Sequence, residues 1–189
     1  YSRPFSDRTG AAVHLKLENF QRTGAFKIRG ALNRIATLSD AEQAAGVVTA
    51  SAGNHAQGVA LAATRAGVDA TIVMPEHAPI SKVKATRGYG ARVVLDGVDY
   101  AEAQARAHEI EREAGRTYVH AFDDEMVMAG QGTIGLEILE QQPDVETVVV
   151  PIGGGGLIAG IATAIKTQRP DVRVIGVQAD GAASIIDSL

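Results

Sequence analysis

GVVTASAGNHAQGVALAATRAG (residues 46–67) decides the fold class. The apolar run Val47, Val48, Thr49 and Ala50 has strand length and no polar alternation, as in a strand buried on both faces. From His55 the apolar residues continue over a length that suits only a helix, and Gly67 stands where a helix end takes a left-handed residue. Between the two lies a short turn of small and polar residues. A strand passing through such a turn into a helix is half of a β-α-β unit.

The pattern extends in both directions. Upstream, Val13, Leu15 and Leu17 alternate with His14 and Lys16, which predicts a strand, followed by a helix over residues 26–38. Ser39 and Glu42 have capping-box spacing and predict a further short helix. Downstream, DATIVMP and ARVVLD read as strands with ISKVKATRGYG as a helix between them. YAEAQARAHEIEREAG reads as a long amphipathic helix ended by Gly115. TYVHAF, VETVVVPI and VRVIGVQA are three more expected strands. The expected architecture is α/β with open parallel sheets, whose ligands bind at the carboxyl ends of strands.

Composition narrows the function. The 189 residues are 46% hydrophobic with a net charge of −4, and the 13 arginines and five lysines are dispersed, so a nucleic-acid surface is disfavoured. With no cysteine, disulfides, thiol catalysis and cysteine-ligated metals are excluded. No apolar run approaches a membrane span and no leader opens the sequence, so the expectation is a cytoplasmic protein without membrane partners. Tyr1 is not a methionine, and SIIDSL (residues 184–189) carries no helix-stop signal. The sequence is therefore expected to be part of a longer chain.

Two strand-to-helix turns are unusual. SAGNH (residues 51–55) and PIGGGGLIAG (residues 151–160) both leave backbone N–H groups free at a helix N-terminus, which suits phosphate or carboxylate. The run Gly153, Gly154, Gly155 and Gly156 lets the backbone wrap an anion closely; close helix packing is the alternative use of such glycines. No Lys-Ser/Thr follows it, so a nucleotide P-loop does not fit. Ser51 or Asn54 as an ordinary helix cap is the alternative for the first turn. The third signal is Lys27 in TGAFKIRGA (residues 23–31). Set between Phe26 and Ile28, a partly desolvated amine has a lowered pKa and is a nucleophile; a lysine whose stem merely covers apolar neighbours is the plainer reading. A nucleophilic amine, a phosphate loop and a carboxylate site together suit pyridoxal phosphate and an amino-acid substrate.

LKLENFQRTGAFKIRGA, SAGNHAQG, AGQGTIGLEIL and PIGGGGLIAG, in this order, resemble the threonine/serine dehydratase group of fold-type II pyridoxal-phosphate enzymes. The resemblance spans nearly the whole sequence. It implies a tryptophan synthase β-like architecture of two parallel-sheet domains, with residues 37–115 as a smaller inserted domain and residues 1–36 and 116–189 in the larger one. It implies that Lys27 bonds the cofactor and handles the substrate α-proton, Phe26 lies against the pyridine ring, and Asn54 meets the ring hydroxyl. Gly153, Gly154, Gly155, Gly156 and Leu157 would hold the phosphate, and Ser51, Gly53, Asn54 and His55 the substrate carboxylate. The family's serine near the pyridine nitrogen comes from a later segment than this sequence contains.

Two departures sharpen the reading. Relatives that racemise serine resemble SSGNH, where this sequence has Ala52, which has no proton to offer the opposite face of the substrate. Where some relatives place an acid for a divalent cation this sequence has Gln178, with Ser184 at a second position and Asp180 a lone acid, so no metal is expected. The implied activity is dehydration and deamination of L-threonine, and of L-serine, by a homo-oligomer. A hydroxyaspartate dehydratase or another eliminating relative stays open. So does a non-catalytic nucleotide- or amino-acid-binding module, since Asp180 falls about 24 residues beyond the glycine run, where a ribose-binding acid is expected.

Overall fold

The computed structural model describes residues 1–182, 185 and 188. Strand β1 (Val47–Ala50) lies inside a four-stranded parallel sheet of order β3-β2-β1-β4, with β2 (Ala70–Met74), β3 (Arg92–Leu95) and β4 (Thr117–Tyr118). Every residue of β1 and β2 is buried, as their unbroken apolar runs require. Val47 stands opposite Ala70 on one side and Thr117 on the other.

Helices α4 (Asn54–Ala66), α5 (Ile80–Gly88) and α6 (Tyr100–Ala114) make the crossovers. Helix α4 buries Val59, Ala60 and Ala63 against Ile72 and Met74 and against α2 (Lys27–Ala36). Helix α6 covers the other sheet face, where Ala103 and Ala107 meet Val48, Ala50 and Val73. Fully burying side chains such as Ile72 contributes about 1.5–3 kcal/mol each. The helix ends follow the sequence signals. In front of α3 (Asp40–Ala45), Glu42 N donates to Ser39 Oγ at 3.3 Å and Ser39 N donates to Glu42 Oε2 at 2.8 Å. Gly67 and Gly115 close α4 and α6 in the left-handed region, at φ 70° and 64°.

A second parallel pair joins β5 (Thr147–Pro151) to β6 (Arg173–Val177) through α8 (Gly156–Gln168). Helix α7 (Glu125–Gln141) lies against α8 over a core of Ile134, Val148, Val150, Ile161, Ile165 and Val172. Helix α2 bridges the two regions, packing on both α4 and α7. This places the first residue of α2, Lys27, between them.

Three sequence expectations change. Val13, Leu15 and Leu17 form no strand: Ser2 N donates to Val13 O at 2.8 Å and Val13 N to Ser6 Oγ at 2.9 Å, while Leu15 and Leu17 stay about half exposed. Alternation supplies a face but not the neighbouring strand a ladder needs. The partner of Val13 is instead the N-terminal half of α1 (Arg3–Thr9), a helix with Ser2 at its N-cap and left-handed Gly10 at its C-cap. TYVHAF contracts to Thr117–Tyr118, because after Val119 N bonds Val48 O the Val119 carbonyl turns to the Thr49 and His55 side chains rather than to the β1 main chain. That strand lies past residue 115, yet it pairs with β1 of the sheet expected to end there.

Candidate active site

Helix α2 begins after a turn at left-handed Gly24 (φ 72°), with Phe26 in the cap position and no side chain capping the first turn. Lys27 is half-buried, and burial holds its amine below the usual value of 10.5. Its Nζ lies 5.3 Å from the Phe26 ring centroid and donates to the Ala121 carbonyl at 2.6 Å. The ammonium is thus tied to a neutral oxygen and to a ring face, and among the described residues no carboxylate pairs with it.

The first turn of α2 is locked by ion pairs two residues further on. Arg29 Nε and Nη2 donate to Glu18 at 2.8 Å each, and Nη1 and Nη2 donate to Glu137 at 2.6 and 2.8 Å. Lys16 Nζ adds a bond to Glu137 at 2.5 Å. The Arg29 hydrogen bond is the main reason the Glu137 carboxyl falls to about 2. Fork-to-carboxylate pairs of this kind fix orientation as well as distance. They hold the start of α2 against α7.

The two unusual turns are uncapped by side chains. Gly53 is the cap residue of α4 and Gly155, at φ 86°, that of α8, and among the described residues no side chain bonds the first-turn amides of either helix. Ser51 Oγ instead accepts Gly53 N at 3.2 Å, and Asn54 is exposed, so neither residue is the helix cap that was the plainer alternative. The glycine run divides its uses. Gly153 is exposed, with open space where a Cβ would stand, whereas a Cβ on Gly154 or Gly156 would lie 2.6 Å from the Phe122 ring or carbonyl. Leu157, in the first turn of α8, packs into the second core.

A segment not singled out in the sequence joins these parts. Residues 119–122 leave β4, accept His55 Nε2 and Thr49 Oγ1 at the Val119 carbonyl, accept Lys27 at Ala121, and end with Phe122 against Gly154 and Gly156. His120 Nδ1 folds the far end by accepting Asp123 N at 2.8 Å. Apolar residues carrying function through their carbonyls leave no side-chain signal.

Among the expected site residues, Lys27, Gly154 and Gly156 meet residues 121–122, Phe26 packs on the second core, and Ser51 and Asn54 stand at the N-terminal end of α4. His55 lies in the first turn of α4 with its side chain 4% exposed and its ring bonded inward to the Val119 carbonyl. Gln178 Nε2 lies 3.5 Å from the Gly153 carbonyl, and Ser184 is outside the described residues. Among the described residues no group of three or more His, Asp or Glu could hold a metal, and no helix is long and apolar enough to cross a membrane.

A half-buried amine beside two uncapped helix N-termini has the donor set of a phosphate-bearing aldehyde cofactor. The family model for pyridoxal-phosphate dependent enzymes matches residues 1–189. The chain belongs to that family. Among its members, the L-threonine ammonia-lyase of Thermotoga maritima is 58% identical over 189 residues, 100% of this chain and 47% of that protein. A processed threonine deaminase isoform 2 from Solanum lycopersicum superposes with a TM-score of 0.94 at 49% identity, covering 96% of this chain and 50% of that one. A maize serine racemase gives 0.87 at 42% identity, over 90% and 52%. The chain spans about half the length of these pyridoxal-phosphate family relatives.

Proposed function

We propose that this chain is the lysine- and phosphate-bearing part of an L-threonine ammonia-lyase that also takes L-serine, releasing a 2-oxo acid and ammonia. The observation that carries the reading is Lys27: a half-buried amine of lowered pKa, held by a main-chain carbonyl between two anion-ready helix ends. In this reading the first-turn amides of α8, from the glycine run to Leu157, receive the cofactor phosphate. Phe26 lies along the ring and Asn54 meets its hydroxyl. Ser51, Gly53 and the α4 amides, that of His55 included, receive the substrate carboxylate. Residues 37–115, together with β4, form the smaller unit, and the site lies where it meets the rest.

Bound pyridoxal phosphate supplies an electron sink that acidifies the Cα–H of the amino acid it carries. Lys27 Nζ takes that proton as general base, a role that a pKa lowered by burial favours. The ammonium so formed has the Ala121 carbonyl within hydrogen-bond reach, where it sits in the present structure at 2.6 Å. The β-hydroxyl leaves with one added proton as water, and the enamine then released tautomerises to an imine that takes up water and yields 2-oxo acid and ammonia.

Ala52 favours elimination over racemisation. It is partly buried against the first core and carries only a methyl group, so it cannot deliver a proton to the face away from Lys27. A hydroxyaspartate dehydratase would use the same residues and differ in the substrate side chain. The same reading takes the enzyme to be a homo-oligomer that works in the cytoplasm. The test is to incubate the intact enzyme with L-threonine and L-serine and assay 2-oxo acid. Threonine-dependent 2-oxobutanoate is expected; a holoenzyme that forms none from either amino acid overturns the reading.

A further inference from the structure

His55 stands one residue past Asn54, at the mouth of the site, yet its side chain has no part in the chemistry above. Its Nε2 lies 3.0 Å from the Val119 carbonyl oxygen. A carbonyl only accepts, so Nε2 carries the proton and Nδ1 is a bare lone pair, buried and without a partner among the described residues. Burial is the main cause that brings the ring down to about 4; the bond to Val119 works against it, the charges of Lys27 and His120 lower it further, and Asp124 raises it. The ring is neutral near pH 7, which fixes it as a one-proton donor.

That bond is placed at a junction. Thr49 Oγ1 donates to the same carbonyl at 2.8 Å, so two donors pin Val119 where the chain leaves β4. Two residues on, Ala121 O receives Lys27 Nζ, and the next residue, Phe122, abuts Gly154 and Gly156. Three residues span at most about 10 Å of extended chain, so there is little slack between the pinned carbonyl, the lysine acceptor and the glycine run. Because His55 belongs to the first turn of α4, it also ties that helix end to the segment.

We propose that His55 is a positioning residue: through the Val119 carbonyl it sets the place of the Ala121 carbonyl that receives the Lys27 ammonium, in register with the N-terminus of α4. The inference rests on Lys27 being the reacting amine. A histidine suits the task because it fills a buried space with a ring and offers a neutral N–H. Phenylalanine fills the space without the donor and removes the orphaned Nδ1, so His55→Phe keeps the fold. Glutamine restores a neutral N–H at similar reach.

The experiment compares wild type, His55→Phe and His55→Gln in the full-length protein, with two readouts. In the cofactor-stripped protein, competitive acetylation with acetic anhydride and peptide mapping reads the reactivity of Lys27 against the surface lysines. Released from Ala121, Lys27 in His55→Phe labels faster by several-fold to about tenfold, the scale of one hydrogen bond, and His55→Gln returns most of the way. In the holoenzyme, His55→Phe lowers kcat by about tenfold or more with KM changed little, because the base is misplaced while the carboxylate site stands. Unchanged labelling and kcat in a folded His55→Phe protein overturn the proposal, as does equal loss in the phenylalanine and glutamine variants. Wild-type protein that shows the labelling pattern but no 2-oxo acid formation keeps the positioning role and removes the lyase assignment instead.

Discussion

Gly130→Ala probes the crossing that holds Lys27 in place. A Cβ on Gly130 would stand 2.6 Å from both the Arg29 carbonyl oxygen and the Gly30 Cα, which are main-chain atoms of the helix that Lys27 begins. Carbon contacts settle at about 3.5–4.0 Å, so α2 and α7 must part by about 1 Å. Parting them strains the Arg29 bonds to Glu137 and the 3.2 Å bond from Gly30 N to Gln131 Oε1. Overpacking of this kind costs about 1–3 kcal/mol, and alanine regains about 1 kcal/mol over glycine in a helix interior, which leaves a net loss of up to about 2 kcal/mol. The larger effect falls on catalysis. Moving a reacting group by about 1 Å lowers turnover by up to about a hundredfold. Thermal unfolding of the intact holoenzyme should therefore drop by a few degrees while kcat for 2-oxobutanoate falls by one to two orders of magnitude. A Gly130→Ala enzyme with parental melting and parental kcat would refute the claim that this crossing positions the lysine.

Gly153→Asp adds a carboxylate in open space beside the proposed phosphate, whereas a side chain on Gly154 would first strike Phe122. Pyridoxal-phosphate affinity, read by spectral titration, should fall by about tenfold or more, and less for the uncharged Gly153→Asn; equal titration of Asp variant and parent would assign the loop another purpose. Ala52→Ser should add some D-serine to the products of L-serine, with little from the parent by chiral chromatography; abundant D-serine from the parent would end the elimination-only reading. Stability should depend on His55 in acid. The native ring titrates at about 4 against an ordinary 6.5, so the unfolded chain binds the proton first, and stability falls as pH drops through that window, by about 3 kcal/mol at 1.36 kcal/mol per pH unit. Urea midpoints of parent and His55→Phe should diverge between pH 7 and 4; parallel curves would contradict the buried neutral ring.

The parallel α/β architecture was legible where burial is two-sided. The runs of β1 and β2 have no polar alternation because helices cover both faces, and the caps at Ser39, Gly67 and Gly115 follow from local chemistry alone. Lys27 was legible through its apolar neighbours, and the two turns through their glycines. What escaped depends on distant partners. Arg29 meets Glu137 from 108 residues away, and nothing in either local sequence announces it. The strand expected at Val13, Leu15 and Leu17 had the right alternation but no neighbour. The family resemblance put His55 in the carboxylate loop, but only the folded helix shows its ring turned inward to Val119. Residues 119–122 act through carbonyls, which every residue has, so composition could not distinguish them.

The central claim is that Lys27 is the amine that carries the cofactor. Borohydride reduction of the intact, cofactor-loaded enzyme, followed by proteolysis and mass mapping, tests it directly. The account predicts one pyridoxyl adduct, on the peptide containing Lys27, and none in a Lys27→Ala protein, which should also lack steady turnover. An adduct on Lys16, Lys82, Lys84, Lys166 or any lysine outside this chain, with Lys27 unmodified, would contradict it.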